Sequence, residues 1–215
     1  MRPTIEAVLW DFGGVFTPSP FATVEAAADE LGISTERAVA YVFGPYDRDT
    51  DHPWHRLERG ELTMDEAREA IMADAAVDGV ALDPWDLLIR MARSEGPLTN
   101  PAVLAAAHRV RDRGLRTGLV TNNIAEFRDG WRSLVPVDEL FEIVVDSSEE
   151  GVRKPDARIF ALALERLDDV DPARCVFLDD YEGNVIAARA CGLHGIRVDP
   201  DPTSALAELE SVLGP

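Results

Sequence analysis

Lysine is nearly missing from this chain. Of the 21 basic residues, 20 are arginine and one, Lys154, is lysine. Mutational bias or a preference for bidentate pairing would favour arginine everywhere. The single exception therefore marks a position that wants a compact ammonium rather than a guanidinium fork. Basic residues are few in total: against 40 acidic residues they leave a formal net charge of −19. That field disfavours nucleic acid or an anionic membrane as a partner, and an anionic substrate would need a local cation or a metal. Cysteine is scarce as well. Cys175 and Cys191 have no metal-ligand spacing and read as packing residues. No apolar run approaches transmembrane length and the N-terminus carries no signal-peptide pattern, so the expected location is the cytoplasm.

What is present suits a globular chain. The 215 residues are 46% hydrophobic and 28% charged, enough for one good core or a core with an insert, as a monomer or homodimer. The run Ile5 to Trp10 is apolar and stops at Asp11, followed by Gly13 and Gly14. Apolar residues ending in a carboxylate and a glycine pair predict a buried parallel strand with a polar loop at its C-terminal edge. The same pattern is compatible with a plain turn in which aspartate caps and glycine supplies positive φ.

From residue 18 to 96 the pattern is helical throughout. Ser19-Pro20, Ser34, and the pair Thr63 and Glu66 are start signals, and Gly32 and Gly44-Pro45 are stops. Phe21, Val24, Ala27, Ala28 and Leu31 follow at helical spacing, and Leu87, Leu88 and Met91 mark a further helix after Asp83-Pro84. From Pro97 strands alternate with helices. Strand candidates are Leu115 to Val120, Phe141 to Val145, Cys175 to Leu178 and Gly195 to Val198, and Ile124 to Leu134 reads as helical. Five strands, most followed by a helix, predict an α/β fold: a parallel sheet with helices on both faces. The expected division is an α/β core of 1–17 and 97–215 with an all-helical insert of 18–96 beside Asp11, placed to act as a lid.

The strand ends carry polar chemistry: Asp11, Thr121-Asn122, Asp146 and Asp179-Asp180, with Lys154-Pro155 in the loop after the third strand. Grouped carboxylates are hard ligands that suit Mg²⁺. An aspartate can act as a nucleophile through an aspartyl-phosphate. The Thr121 hydroxyl and the Asn122 backbone N–H are suited to the equatorial oxygens of a transferring phosphoryl group.

The stretches DFGGVFT (11–17), WHRLERGELT (54–63), LVTNN (119–123), GVRKPDARIF (151–160) and FLDDYEGNVIAARACG (177–192) together resemble the haloacid dehalogenase superfamily. The likeness is to its phosphatase type with a helical cap after the first strand. Within it the phosphatase domain of soluble epoxide hydrolases and bacterial sugar-1-phosphate phosphatases are most similar. The resemblance runs in order over essentially the whole chain. It implies a Rossmann-like three-layer core, a Mg²⁺ cofactor and a small phosphorylated substrate. It also implies roles: Asp11 as nucleophile and metal ligand, Thr121 and Asn122 as phosphate binders, and Lys154 as orienter of nucleophile and phosphate. Asp180 would bind Mg²⁺ directly and Asp179 through water, with Asn184 supporting that pair.

One departure stands out. Most phosphatases of this type have a second aspartate two residues after the nucleophile, as acid and base; here it is Gly13, whose backbone carbonyl can still serve the metal. General acid–base catalysis is typically worth about 10²–10⁴-fold. A substrate with a good leaving group, such as a sugar-1-phosphate, or a proton donor from the insert would compensate. Candidates in the insert are Asp47, Asp49, Asp51, His52 and His55, whose segment equally reads as a solvated loop. Two alternatives follow: a phosphate-ligand binding or regulatory protein with weak or lost turnover, and a 2-haloacid dehalogenase in which Asp11 attacks carbon.

Overall fold

Strand β1 (Ala7–Trp10) is completely buried and forms the middle of the sheet. Its pleat sends Val8 and Trp10 to one face and Ala7 and Leu9 to the other. The computed structural model describes residues 4–93 and 97–214. The expected boundary at 96 and 97 abuts residues 94–96, and the side chains of Ala27, Leu31, Leu87, Leu88 and Met91 also lie outside what is described.

After β1 come five helices: α1 (Pro20–Leu31), α2 (Thr35–Val42), α3 (Pro53–Glu58), α4 (Met64–Val77) and α5 (Pro84–Arg93). Ser34 caps α2 by accepting from Arg37 N, and Thr63 with Glu66 forms a complete capping box on α4. These helices share an apolar cluster including Val24, Ala28, Val42, Phe43, Trp54, Leu57 and Ile71. The alternating half then runs α6 (Pro101–Asp112), β2 (Arg116–Thr121), α7 (Arg128–Arg132), α8 (Val137–Leu140), β3 (Ile143–Asp146), α9 (Ser147–Glu150) and α10 (Ala157–Arg166). It finishes with β4 (Cys175–Asp179), α11 (Glu182–Ala190), β5 (His194–Arg197) and α12 (Thr203–Leu213).

The five strands are all parallel, in the order β3-β2-β1-β4-β5. One face packs Val103 and Val110 of α6 and Leu209 of α12 against Val8, Trp10 and Leu178. The other packs Ile159, Phe160 and Ala163 of α10 and Ala188 of α11 against Leu9, Val120 and Phe177. This is the three-layer α/β architecture expected. Successive strands after β1 build outward through β2 to β3, then β4 returns to the opposite side of β1. The crevice between β1 and β4 is thus the switch point of the sheet, where ligands bind in open α/β folds. Asp11 and Asp179 stand at its two lips.

The expected helix from Ile124 to Leu134 is instead a 3-10 turn, Ala125–Phe127, followed by the five residues of α7. Two cores pull on this segment. Ile124 joins the apolar cluster of the helical block, whereas Trp131 packs into the sheet face near Phe12. No single helical stripe satisfies both. Phe141, read as the start of a strand, lies before β3 and packs edge-on against Phe16. No helix of the described residues is long and apolar enough to cross a membrane.

Candidate active site

Asp11 leaves the end of β1 with its backbone N–H bonded to Leu178 O on β4, which fixes the direction of its side chain. Its Oδ1 accepts from Phe12 N at 2.7 Å and lies 2.6 Å from Lys154 Nζ, while Oδ2 takes neither bond. Lys154 is buried and donates also to Asp179 Oδ2 at 2.7 Å. One ammonium therefore bridges the carboxylates at the two lips of the crevice. Burial by itself would lower the lysine pKa, but Asp11 and Asp179 outweigh it and hold the group above its ordinary value.

Asp179 is fully buried and anchored. Asn184 Nδ2, from the first turn of α11, donates to both of its oxygens at 3.1 Å, and Tyr181 N donates to Oδ1 at 2.8 Å. Asp180, next along the chain, accepts from Ser19 Oγ at 2.6 Å. Among the described residues, Asp11, Asp179 and Asp180 bring carboxyl oxygens within 4.8 Å of one another. Burial, reinforced by the neighbouring carboxylates, lifts Asp11 well above its usual range and pushes Asp180 to about 7. Three crowded carboxylates facing one ammonium form a hard-oxygen donor set that lacks positive charge. A Mg²⁺ ion fits that deficit.

The two glycines after Asp11 differ. Gly14 has φ +78°, and an added Cβ would fall 2.0 Å from Asp180 Oδ2. A Cβ on Gly13 would meet nothing within 4 Å. The side of Gly13 on which a side chain would stand is open space.

Thr121 ends β2 in register with Asp146 of β3. The Asn122 side chain, for which the sequence carried no expectation apart from the backbone N–H, faces the lysine loop. Its Oδ1 accepts from Lys154 N at 2.8 Å and its Nδ2 donates to Lys154 O at 3.0 Å. Asn122 thus clamps the lysine backbone, and only its own backbone N–H remains as a phosphate donor. Asp146 does not join the carboxylate group; it caps α9 by accepting from Ser148 N and Oγ at 3.0 and 2.8 Å.

Of the five candidates from the insert, only Asp47 lines the cavity that opens at Asp180. His55 is completely buried, and its Nδ1 accepts from Thr50 N at 3.0 Å. Asp49 pairs with Arg59, and His52 caps α3 through a bond from Trp54 N. Asp51 is exposed. The segment is neither a plain solvated loop nor a row of substrate contacts: half-buried Tyr46 and Asp49 and buried His55 join a polar brace around the buried Glu58 and Arg153. Three residues of that brace, Tyr46, Glu58 and Arg153, were not singled out by sequence reasoning, nor was Ser19 except as a helix cap. The available signal was the spacing Trp54, Glu58, Gly60 and the basic pair Arg153-Lys154.

Comparison with known proteins places this geometry. A profile described as haloacid dehalogenase-like hydrolase matches residues 5–192. The chain belongs to that hydrolase family. This haloacid dehalogenase-like chain is 33% identical over 213 residues to mouse acyl-CoA dehydrogenase family member 10, covering 97% of this chain but 19% of that protein. It is 32% identical over 211 residues to a phosphatase of Mycobacterium tuberculosis, covering 91% of this chain and 88% of the relative. It is 26% identical over 218 residues to the sesquiterpene phosphatase astK of Aspergillus oryzae, covering 100% of both. The chain thus spans about a fifth of the first relative's length and nearly all of the other two. A family enzyme from Bacteroides thetaiotaomicron, solved with magnesium and inorganic phosphate, shares the fold at TM-score 0.60 and 18% identity, over 92% of this chain and 96% of that one.

Proposed function

We propose that this family member is a Mg²⁺-dependent phosphatase acting on a small monophosphorylated metabolite through an aspartyl-phosphate on Asp11, with residues 18–96 serving as a cap over a core of 1–17 and 97–215. The observation that carries this reading is the bridging of Asp11 and Asp179 by the lone lysine, beside a third carboxylate, Asp180. Phosphatases are also named among the full-length relatives.

Asp11, Asp179, Asp180 and the Gly13 carbonyl are the groups that would hold the ion, which would neutralise phosphate charge as the anionic nucleophile approaches. The protein's own residues do the rest. Phe12 N–H and Lys154 fix Asp11 Oδ1, so Oδ2 is presented to phosphorus. As the Asp11 oxygen bonds to phosphorus, the ester P–O bond breaks and its electron pair leaves with the organic oxygen. Water then attacks phosphorus, the aspartyl P–O bond breaks, and a proton passes to solvent. Lys154, Thr121 Oγ and Asn122 N–H are the donors for the equatorial oxygens.

No carboxyl stands at Gly13 to protonate the departing oxygen, so leaving groups stable as anions are favoured: anomeric, acyl or aryl phosphates. The cavity of about 1450 Å³ beside Asp180 narrows the organic part. Its walls include Phe21, Tyr46 and Tyr181, and its rim carries Glu36, Asp47 and Glu182. Among the described residues that line it the only cation is Arg197, which is close to Glu182 and Asp199. A second anionic group on the substrate would be repelled.

The test is phosphate release from alkyl, anomeric, acyl and aryl phosphates, with Mg²⁺ and with EDTA, for the wild type and Asp11→Asn. The reading requires Mg²⁺-dependent turnover that Asp11→Asn abolishes. Halide release from a 2-haloacid without Mg²⁺ would instead favour carbon attack. Tight phosphate binding with no turnover anywhere on the panel would favour a binding or regulatory role.

A further inference from the structure

Arg153 and Lys154 are consecutive, buried and directed to opposite tasks. Lys154 reaches into the carboxylate group. Arg153 crosses to the helical block, where its Nε donates to Glu58 Oε2 on α3 at 2.6 Å and its guanidinium lies 4.6 Å over the Tyr46 ring. Glu58 Oε1 in turn accepts from Tyr46 OH at 2.8 Å and from Trp54 Nε1 at 2.9 Å. The Asn122 amide closes the loop: besides clamping the Lys154 backbone, its Nδ2 approaches Tyr46 OH at 3.4 Å. Both routes out of the Lys154 backbone, through Arg153 and through Asn122, end on Tyr46 and Glu58.

We infer that Arg153 is a positioning residue: its buried pairing with Glu58 ties the placement of Lys154, and with it turnover, to the seating of α3 on the core. This inference rests on the phosphatase reading of the site. A buried ion pair contributes little net stability, because desolvation offsets the Coulomb attraction, but it tolerates only one geometry. Glue alone would be better supplied by apolar side chains. Arg153 has no exposed surface, and neither terminal guanidinium nitrogen has a hydrogen-bond partner. Of its hydrogen-bonding capacity only the Nε bond to Glu58 is used; Nη1 also lies 3.7 Å from Asp49 Oδ1, so both carboxylates that hold the Arg153 side chain come from the helical block. The seat is tight from the other side too. An added Cβ on Gly60, just past α3, would fall 2.4 Å from Ser148 O on α9. The end of α3 therefore rests on the backbone of the segment that leads into Arg153.

The test compares Arg153→Met, Glu58→Gln and their double variant, in the wild type and in Lys154→Ala, using p-nitrophenyl phosphate with Mg²⁺. Melting temperature and inhibition by inorganic phosphate are measured in parallel. Each single variant is expected to lower kcat/KM about ten- to a hundredfold, the scale of a small misplacement of a reacting group. The double variant should be no worse than Arg153→Met alone, since that change already removes the contact with Glu58 along with those to Asp49 and Tyr46. In the Lys154→Ala background, Arg153→Met should change residual turnover by less than about twofold, because its effect runs through the lysine. Arg153→Lys, which keeps a cation for Glu58, should recover part of the loss. It also serves if Arg153→Met fails to fold. Wild-type rates in folded Arg153→Met and Glu58→Gln, or an Arg153 effect undiminished without Lys154, would overturn the inference. A wild type that binds phosphate but hydrolyses nothing would overturn the phosphatase reading alone. Phosphate affinity then decides on Arg153: weakening in Arg153→Met upholds the positioning role, and an unchanged value removes it.

Discussion

A methyl group on Gly14 would fall 2.0 Å from Oδ2 of Asp180. The first loop and the loop after β4 touch at that point, and the glycine's φ of +78° is one that side chains rarely adopt. Gly14→Ala must therefore shift Asp180 or strain the turn. It should lower kcat/KM about a hundredfold and cost about 1–3 kcal/mol of stability. Gly13→Ala, one residue earlier and facing open space, should be near neutral. Parallel melting curves and phosphatase assays of the two variants separate a close approach from general loop sensitivity.

Open space at Gly13 also leaves room for a carboxyl to be added there. Gly13→Asp should raise turnover of alkyl phosphates at least about tenfold, toward the range of general acid catalysis, and change aryl phosphates far less. Equal effects on both classes would mean that protonation of the leaving oxygen does not limit the natural enzyme.

Lys154 lies between two buried carboxylates. Lys154→Met leaves Asp11 and Asp179 without their shared cation and should cost about 3–5 kcal/mol, as expected when one partner of a buried pair is removed. Turnover should fall at least about a hundredfold. Lys154→Arg should not restore it, since a guanidinium fork does not fit where one ammonium contacts both oxygens. Added Mg²⁺ should raise the melting temperature of the methionine variant if the ion supplies charge to the same oxygens.

Ser19 joins the start of the helical block to Asp180 with a 2.6 Å bond. Groups that orient a metal-binding carboxylate are typically worth about 10–100-fold in metal affinity. Ser19→Ala should weaken Mg²⁺ binding by about tenfold at the lower end of that range, read by titration of the thermal shift. Unchanged affinity would assign the hydroxyl to helix capping only.

His55 is buried in neutral form. Burial, with the positive charge of Arg153 nearby, pushes its pKa from 6.5 down to about 3. Between those values the unfolded chain binds a proton that the folded chain refuses. The contribution of His55 to stability is thus complete above pH 6.5 and is lost as pH falls toward 3, at up to about 1.4 kcal/mol per pH unit. His55→Gln should flatten the fall in melting temperature between about pH 7 and pH 5. An unaltered slope would place the acid sensitivity on other groups.

Local patterns made much of the fold legible. Ile5 to Trp10 holds the expected buried strand, and the caps at Ser34 and Thr63 form through the side chains expected. The loneliness of Lys154 pointed to a site that wants a compact ammonium; that the site is buried came from the fold. Ile124 to Leu134 misled because its apolar residues serve two cores, and periodicity assumes one. The Asn122 side chain had no local signal at all, because its partner, the Lys154 backbone, lies 32 residues away.

What the chain's own order of residues determined, then, is the set of strand ends and the chemistry each carries. Strand patterns and caps act over a few residues, so the sequence displays them directly. Only the tertiary structure decided that Asp47 alone of the five insert candidates faces the cavity, that Asn122 clamps the lysine loop, and that Arg153 spans to Glu58. Those choices depend on which distant groups share a buried volume with too few partners to satisfy every charge, and that competition is settled in space rather than along the chain.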